Sequence, residues 1–152
     1  MQSPFSRSMI ATLALSMLVL IQTGCASTSN RSSASRDGAF IHIQSGPEHA
    51  HNVLMGLRMA QIMSTERDVL VYFDVDGIGV VVEDARDLAM EPFGSSHAMI
   101  ADLVDRGATL FACPGCLEAA GKTPDDLVGG VRVAEKGAFF DFTEGRILTL
   151  DY

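Results

Sequence analysis

From residue 39 onward the chain alternates two hydrophobic rhythms. Residues 40–44 (FIHIQ) form a short β-rich run closed by Ser45-Gly46-Pro47. Residues 48–64 then repeat at helical spacing. Val53, Gly56, Leu57, Ala60 and Met63 share an apolar side, and His51, Arg58, Gln61 and Thr65 share the polar arc opposite. Pro47 suits the first helical turn. Residues 69–73 (VLVYF) are continuously apolar, the pattern of a strand covered on both faces, and end in Asp74-Val75-Asp76-Gly77. Residues 78–82 are apolar again and start either a further strand or a loop. A helix is predicted from a cap at Ser95 or Ser96 through Arg106, with Ile100, Leu103 and Val104 inward and Gly107 as its stop. Residues 108–112 (ATLFA) read as the next strand. They run straight into Cys113-Pro114-Gly115-Cys116 and a short helix ending at Gly121. Thr123-Pro124-Asp125-Asp126 has the composition of another helix start. Residues 139–142 and 146–150 read as closing strands around Thr143-Glu144-Gly145. This alternation predicts an α/β fold: a single compact domain over residues 39–152, with a mostly parallel central sheet and helices on both faces.

The first 38 residues follow neither rhythm. Arg7 precedes a thirteen-residue apolar run, residues 9–21. A bilayer span takes about 20 residues, so this run is too short and fits the core of a signal peptide. Gln22-Thr23-Gly24-Cys25 follows. Small residues ending at a cysteine resemble the bacterial lipoprotein signal, in which the cysteine is lipidated and becomes the new N-terminus. Gln22 departs from that pattern, which prefers Leu. The expectation is a signal peptide over residues 1–24, lipidation of Cys25, and a flexible tether over residues 25–38, small and polar throughout. The domain would then sit in the cell envelope, anchored through the lipid on Cys25 and facing the periplasm or exterior.

Composition narrows the function classes. A chain of 152 residues allows one domain, and 47% apolar with 20% charged residues is ordinary for a packed one. The net charge of −8, with scattered basic residues, argues against nucleic acid, whose phosphates need clustered Lys and Arg.

Cys113-Pro114-Gly115-Cys116 carries the chemistry. A cysteine that ends a strand and opens a helix meets free amide N–H groups and the positive helix end, which favour a thiolate. Cys116, three residues on, lies on the same side of the first turn. The pair can form a redox disulfide or trap a mixed one. Three other readings stay open: a structural disulfide, since an exported compartment oxidises paired thiols; a soft-metal site, although two thiolates are half of a tetrahedral zinc set and no second pair exists; and two inert buried thiols. No cofactor or metal is expected.

The segment Asp74-Val75-Asp76-Gly77-Ile78, the stretch 103–121 (LVDRGATLFACPGCLEAAG) and residues 123–131 (TPDDLVGGV) together resemble the DsrE/DsrF/TusD-like sulfur relay family. The resemblance covers residues 39–152 and lies in the ordered set of motifs, with Cys113 and Gly121 at the family's spacing. It implies a compact Rossmann- or flavodoxin-like α/β fold, often assembled as trimers or hexamers. It implies that Cys113 is the sulfur-accepting cysteine, carrying sulfur as a persulfide. Cys116 matches the second cysteine of a subset of members. Two departures stand out. Characterised members work in the cytoplasm, and many carry Arg where this chain has Ala120. The expected partners are a sulfane-sulfur donor or a thiol partner protein, and further copies of the chain. The competing class is a non-catalytic envelope binding or scaffold protein with a structural Cys113–Cys116 bridge, or a soft-metal binder.

Other residues are weaker candidates. His42, in the first strand, reads as a core histidine or as a base near Cys113 if the strands are neighbours. With Asp74 and Asp76 at a strand's carboxyl end it outlines a candidate ligand pocket. Asp-Gly composition also suits a plain turn. His49 and His51 point about 200° apart on a helix and do not chelate together. Met55, Met59 and Met63 would suit Cu(I) but join the apolar arc and read as core. Glu83, Asp84, Arg86 and Asp87 read as a solvated charged loop.

Overall fold

The computed structural model describes residues 37–152. The expected signal peptide, Cys25 and most of the expected tether lie outside the described residues. The folded part opens with β1 (Gly38–Ile43), one residue earlier than the sequence boundary. It continues through α1 (Ala50–Met63), β2 (Asp68–Phe73), a short hairpin β3 (Ala89–Met90) and β4 (Gly94–Ser95), α2 (Ser96–Asp105) and β5 (Thr109–Ala112). Then come α3 (Pro114–Ala119), β6 (Val131–Val133), α4 (Lys136–Phe142) and β7 (Ile147–Asp151).

Five strands form one sheet in the order β6-β5-β2-β1-β7, and every pair is parallel. The order grows outward from β1 through β2, β5 and β6, then returns to place β7 on the other side of β1. The carboxyl ends of β1 and β7 therefore flank the topological switch point, where open parallel sheets bind ligands. Pleating divides the side chains between two faces. Ile41, Ile43, Val71, Phe73, Leu110 and Ala112 are buried in one core with Val53, Leu54, Leu57 and Ala60 of α1 and Met99, Ile100 and Leu103 of α2. Phe40, His42, Tyr72 and Phe111 alternate with them and look to the other side. There α4 lays Phe139 edge-on against Phe40 and Tyr72, with ring centroids 5.5 and 5.2 Å apart. Helices thus cover both faces, but unequally: no residue of α4 is fully buried.

Most of the sequence pattern survives contact with the structure. Ser95 caps α2 by accepting from the Ala98 amide, and Gly107 stops the helix at φ +79°. Met59 and Met63 pack against the core. Three expectations need correction. Residues 139–142 are helical, not a strand. A strand there would turn tightly into residues 146–150 and pair antiparallel with them, whereas β7 runs parallel to β1 and needs a crossover helix after β6. Residues 78–82 form neither strand nor open loop: a 3-10 turn spans Val75–Val80 and buries Gly77, Ile78 and Val80. The charged loop is not merely solvated. Asp87 accepts hydrogen bonds from the Ser95 and Ser96 hydroxyls and from the His97 amide, fixing the start of α2. Asp84 pairs with Lys122 at 2.8 Å. Thr123 and Asp126 do form a capping box, but it opens only a 3-10 turn. Among the described residues no helix is long and apolar enough to cross a membrane.

Candidate functional site

The site lies at the carboxyl edge of β1, β2 and β5. Cys113 follows the last residue of β5, and its backbone is still tied to the sheet through its N–H to the Phe73 carbonyl, 2.8 Å. It is the N-cap of α3, with Pro114 in the first turn, and its sulfur accepts the Cys116 amide at 3.4 Å. A sulfur cap is thus built by local sequence: an extended residue, a proline that needs no N–H partner, then a free amide aimed back at Sγ. Both cysteines are free and half-buried, and they approach to 3.1 Å without a bond.

Tyr72 completes the constellation. β2 and β5 pair Tyr72 with Phe111, so Cys113, two residues past Phe111, stands on the same face as the tyrosine. Burial alone would push the Cys113 thiol up. Hydrogen bonds to its sulfur from the Tyr72 hydroxyl, from the Cys116 thiol and from the Cys116 and Gly115 amides outweigh that and bring it below the ordinary thiol range. Cys116 moves the other way, first because its thiol donates to Cys113 and then because it is buried; the Val75 N–H, hydrogen-bonded to it, offsets only part of this. Tyr72 is raised as well, by burial and then by its hydrogen bond and proximity to Cys113. The pair is therefore unequal: the surroundings of Cys113 favour its thiolate, and those of Cys116 favour its thiol.

Val75 is the strained element. Its φ of +47° is a left-handed conformation that a β-branched residue adopts only under constraint. The constraint comes from the turn around it. Gly77 donates to both the Gln44 and Asp74 carbonyls, at 3.0 and 2.8 Å, and Asp74 donates to Ile43 O at 3.3 Å. The outcome is a Val75 amide directed at Cys116 and a side chain 57% exposed on the rim. Val75, Asp76, Cys116, Ala119 and Ala120 line a groove of about 400 Å³ beside the second cysteine.

His42 sits one strand further along. β2 separates β1 from β5, so His42 is not on a strand beside Cys113; it contacts the Tyr72 ring instead, centroid to centroid 5.7 Å. Its Nε2 is 2.9 Å from Asp74 Oδ1, and its Nδ1 is 3.0 Å from Asp151 Oδ1. The Nε2–Oδ1 pair is shielded from water and close, yet not in hydrogen-bond alignment. Nδ1 donates to Asp151 when it carries a proton and accepts from the Gln44 amide, also at 3.0 Å, when it does not. Of the residues singled out from sequence, the structure brings Cys113 with Cys116, and His42 with Asp74. Asp76 lies on the groove rather than with His42. Cys25 is outside the described residues. Tyr72, Val75 and Asp151 went unnoticed, because each acts through a strand neighbour or a backbone angle.

A family model described as DsrE/DsrF-like matches residues 38–146. The chain belongs to the DsrE/DsrF-like family. This family is generally related to sulfur relay. Two solved structures share the fold. The YchN protein from E. coli matches at 15% identity and TM-score 0.59, over 76% of this chain and 99% of its own. A protein of unknown function, MTH1491 from Methanobacterium thermoautotrophicum, matches at 21% identity and TM-score 0.53, over 75% and 98%. No curated protein matches the sequence. Within this DsrE/DsrF-like fold the departure at Ala120 acquires a meaning. The groups that favour a Cys113 thiolate here are the Tyr72 hydroxyl, the neighbouring thiol and two amides, none of them a cation.

The sign of the Tyr72 effect is testable. Tyr72→Phe removes a donor to the Cys113 sulfur, which disfavours the thiolate and raises its pKa. The pH profile of Cys113 alkylation, followed by mass, is expected to shift to higher pH in this variant. An unshifted profile would mean that the helix start alone sets the thiolate.

Proposed function

We propose that this protein handles sulfane sulfur or thiols in the cell envelope, with Cys113 as the accepting nucleophile and Cys116 as the resolving thiol. The observation that carries the reading is Cys113 at the helix cap, with donors from Tyr72, Gly115 and Cys116 converging on one sulfur. The Cys113 thiolate attacks the terminal sulfur of a persulfide or polysulfide donor. A sulfur–sulfur bond forms to Cys113, the donor's own bond breaks, and the donor leaves as its thiolate. Two exits follow. An acceptor thiolate takes the terminal sulfur and regenerates the Cys113 thiolate. Alternatively Cys116, after losing its proton to solvent, attacks Cys113 Sγ and releases hydrosulfide as the Cys113–Cys116 disulfide forms. A dithiol reductant then reopens that disulfide. The envelope setting rests on the leader and on Cys25, which would hold the domain to a membrane through lipid. The partners are a sulfane-sulfur donor or a thiol protein, and a homo-oligomer, trimer or hexamer, is the expected assembly.

Among the described residues no group of three or more His, Cys, Asp or Glu side chains is arranged to hold a metal ion. The test is Cys116→Ser. Exposed to inorganic polysulfide, this variant is expected to gain sulfur on Cys113 and to keep it, because the internal exit is closed. A variant that takes up no sulfur overturns the reading.

A further inference from the structure

One row of side chains crosses the whole sheet. In register and on one face stand Asp151 of β7, His42 of β1, Tyr72 of β2, Phe111 of β5 and Arg132 of β6. The row is polarised. Its β7 end is a carboxylate, and its β6 end is a guanidinium laid over the Phe111 ring, 5.3 Å from the centroid. Cys113 stands two residues past Phe111 on the same face, where its sulfur receives the Tyr72 hydroxyl. β6 still runs beside it, since the Ala134 N–H reaches the Ala112 carbonyl at 2.9 Å. Strands about 4.8 Å apart and two residues of rise, about 6.6 Å, put the Arg132 and Cys113 backbones about 8 Å apart. The other arginines are engaged: Arg67 and Arg146 hold Asp37, Arg106 holds Asp102, Arg58 donates to Gln61 and Arg86 to the Pro47 carbonyl. Arg132 is exposed, and among the described residues no hydrogen bond or ion pair engages its guanidinium. Nor is it among the groups that favour the Cys113 thiolate. A chain of net charge −8 thus keeps an uncommitted cation beside its nucleophile.

We propose that Arg132 binds the anionic end of a low-molecular-weight sulfane-sulfur donor of the polysulfide kind, and so selects anionic donors for Cys113. This rests on the sulfur-handling reading above and names its donor class. A thiolate and an anionic donor repel each other. A guanidinium about 8 Å away offsets that repulsion within one Debye length at physiological salt, also about 8 Å. In the loading step the Cys113 sulfur bonds one terminal sulfur of the donor, the next sulfur–sulfur bond breaks, and the shortened chain leaves with the negative charge. That charge grows on the part of the donor turned to Arg132, away from the Asp151 end of the row. Stacking on Phe111 occupies a face of the guanidinium and leaves its N–H edges for the anion.

The test compares two alkylating probes of one size, iodoacetate and neutral iodoacetamide, on the full chain, with the rate at Cys113 read by fragmentation of the peptide. In Arg132→Gln the iodoacetate rate is expected to fall on the order of threefold, the scale of an exposed ion pair, while the iodoacetamide rate and its pH profile stay unchanged. Loading by inorganic polysulfide should slow in step with iodoacetate. Arg132→Lys should restore most of both. Arg106→Gln, which removes one charge elsewhere, should alter neither. In the unaltered chain the preference should fade in 1 M salt, where the Debye length is about 3 Å. An unchanged ratio of the two probes in Arg132→Gln would overturn the role of Arg132 and leave the sulfur-handling reading standing. Equal slowing of both probes would overturn it too, by showing a structural part only. Absence of polysulfide loading in the unaltered chain would instead overturn both.

Discussion

Cys113→Ser is expected to abolish sulfur uptake while the fold survives. Uptake needs a thiolate at the helix cap, and a serine hydroxyl does not ionise under these conditions. Cys116 is not placed to take over, because it does not cap α3 and the Tyr72 hydroxyl and Gly115 amide are aimed at position 113. The fold survives for a separate reason. Cys113 caps α3 by accepting the Cys116 amide, and Ser is among the best residues for that position. Thermal stability should therefore stay within about 1 kcal/mol of the unaltered chain. Sulfur uptake from polysulfide by mass, together with the midpoint of denaturant unfolding, checks both halves. Loading that persists in Cys113→Ser would assign the chemistry to another residue. Lost uptake accompanied by lost stability would show the cap rather than the nucleophile.

Gly77→Ala is expected to give the largest stability loss at the site. A Cβ at this position would lie 2.2 Å from the Ile43 carbonyl oxygen. That neighbour is backbone at the end of a central strand, so it cannot rotate aside. The turn would have to move instead, breaking the Gly77 amide bonds to Gln44 O and Asp74 O that hold Val75 in its left-handed conformation. Overpacking of this kind costs about 2–3 kcal/mol. The cost should appear as a lower denaturant midpoint at constant slope. Because the same turn places the Val75 amide on Cys116, alkylation of Cys116 should change as well. Gly115→Ala serves as the comparison, since an added Cβ there meets nothing within 4 Å. Near-equal stability of the two variants would contradict the close approach at Gly77.

How far the sequence reveals this arrangement depends on how far apart the cooperating residues lie. The Cys113 cap is written within four consecutive residues, so strand pattern, proline and spacing suffice to place it. The parallel order follows from the alternation of elements, because parallel neighbours need crossovers. The aromatic run 139–142 misleads for the same reason in reverse: its composition favours strands, but the crossover to β7 demands a helix, and tertiary context overrides propensity. Tyr72 is hidden inside an apolar run that reads as buried on both faces. Its hydroxyl matters only because β5 lies beside β2 in that register. The His42–Asp74–Asp151 cluster likewise depends on strand order, with β1 between β2 and β7. Val75 gives no signal at all, since nothing in valine suggests a positive φ. The turn imposes it through Gly77.

Cys113, and not Cys116, is expected to accept sulfur. This is checked by intact mass of the protein before and after exposure to inorganic polysulfide, with the site located by fragmentation of the alkylated peptide that carries both cysteines. The expected result is a gain of one sulfur atom on Cys113, reversed by reductant. An unchanged mass, or a gain confined to Cys116, would contradict it.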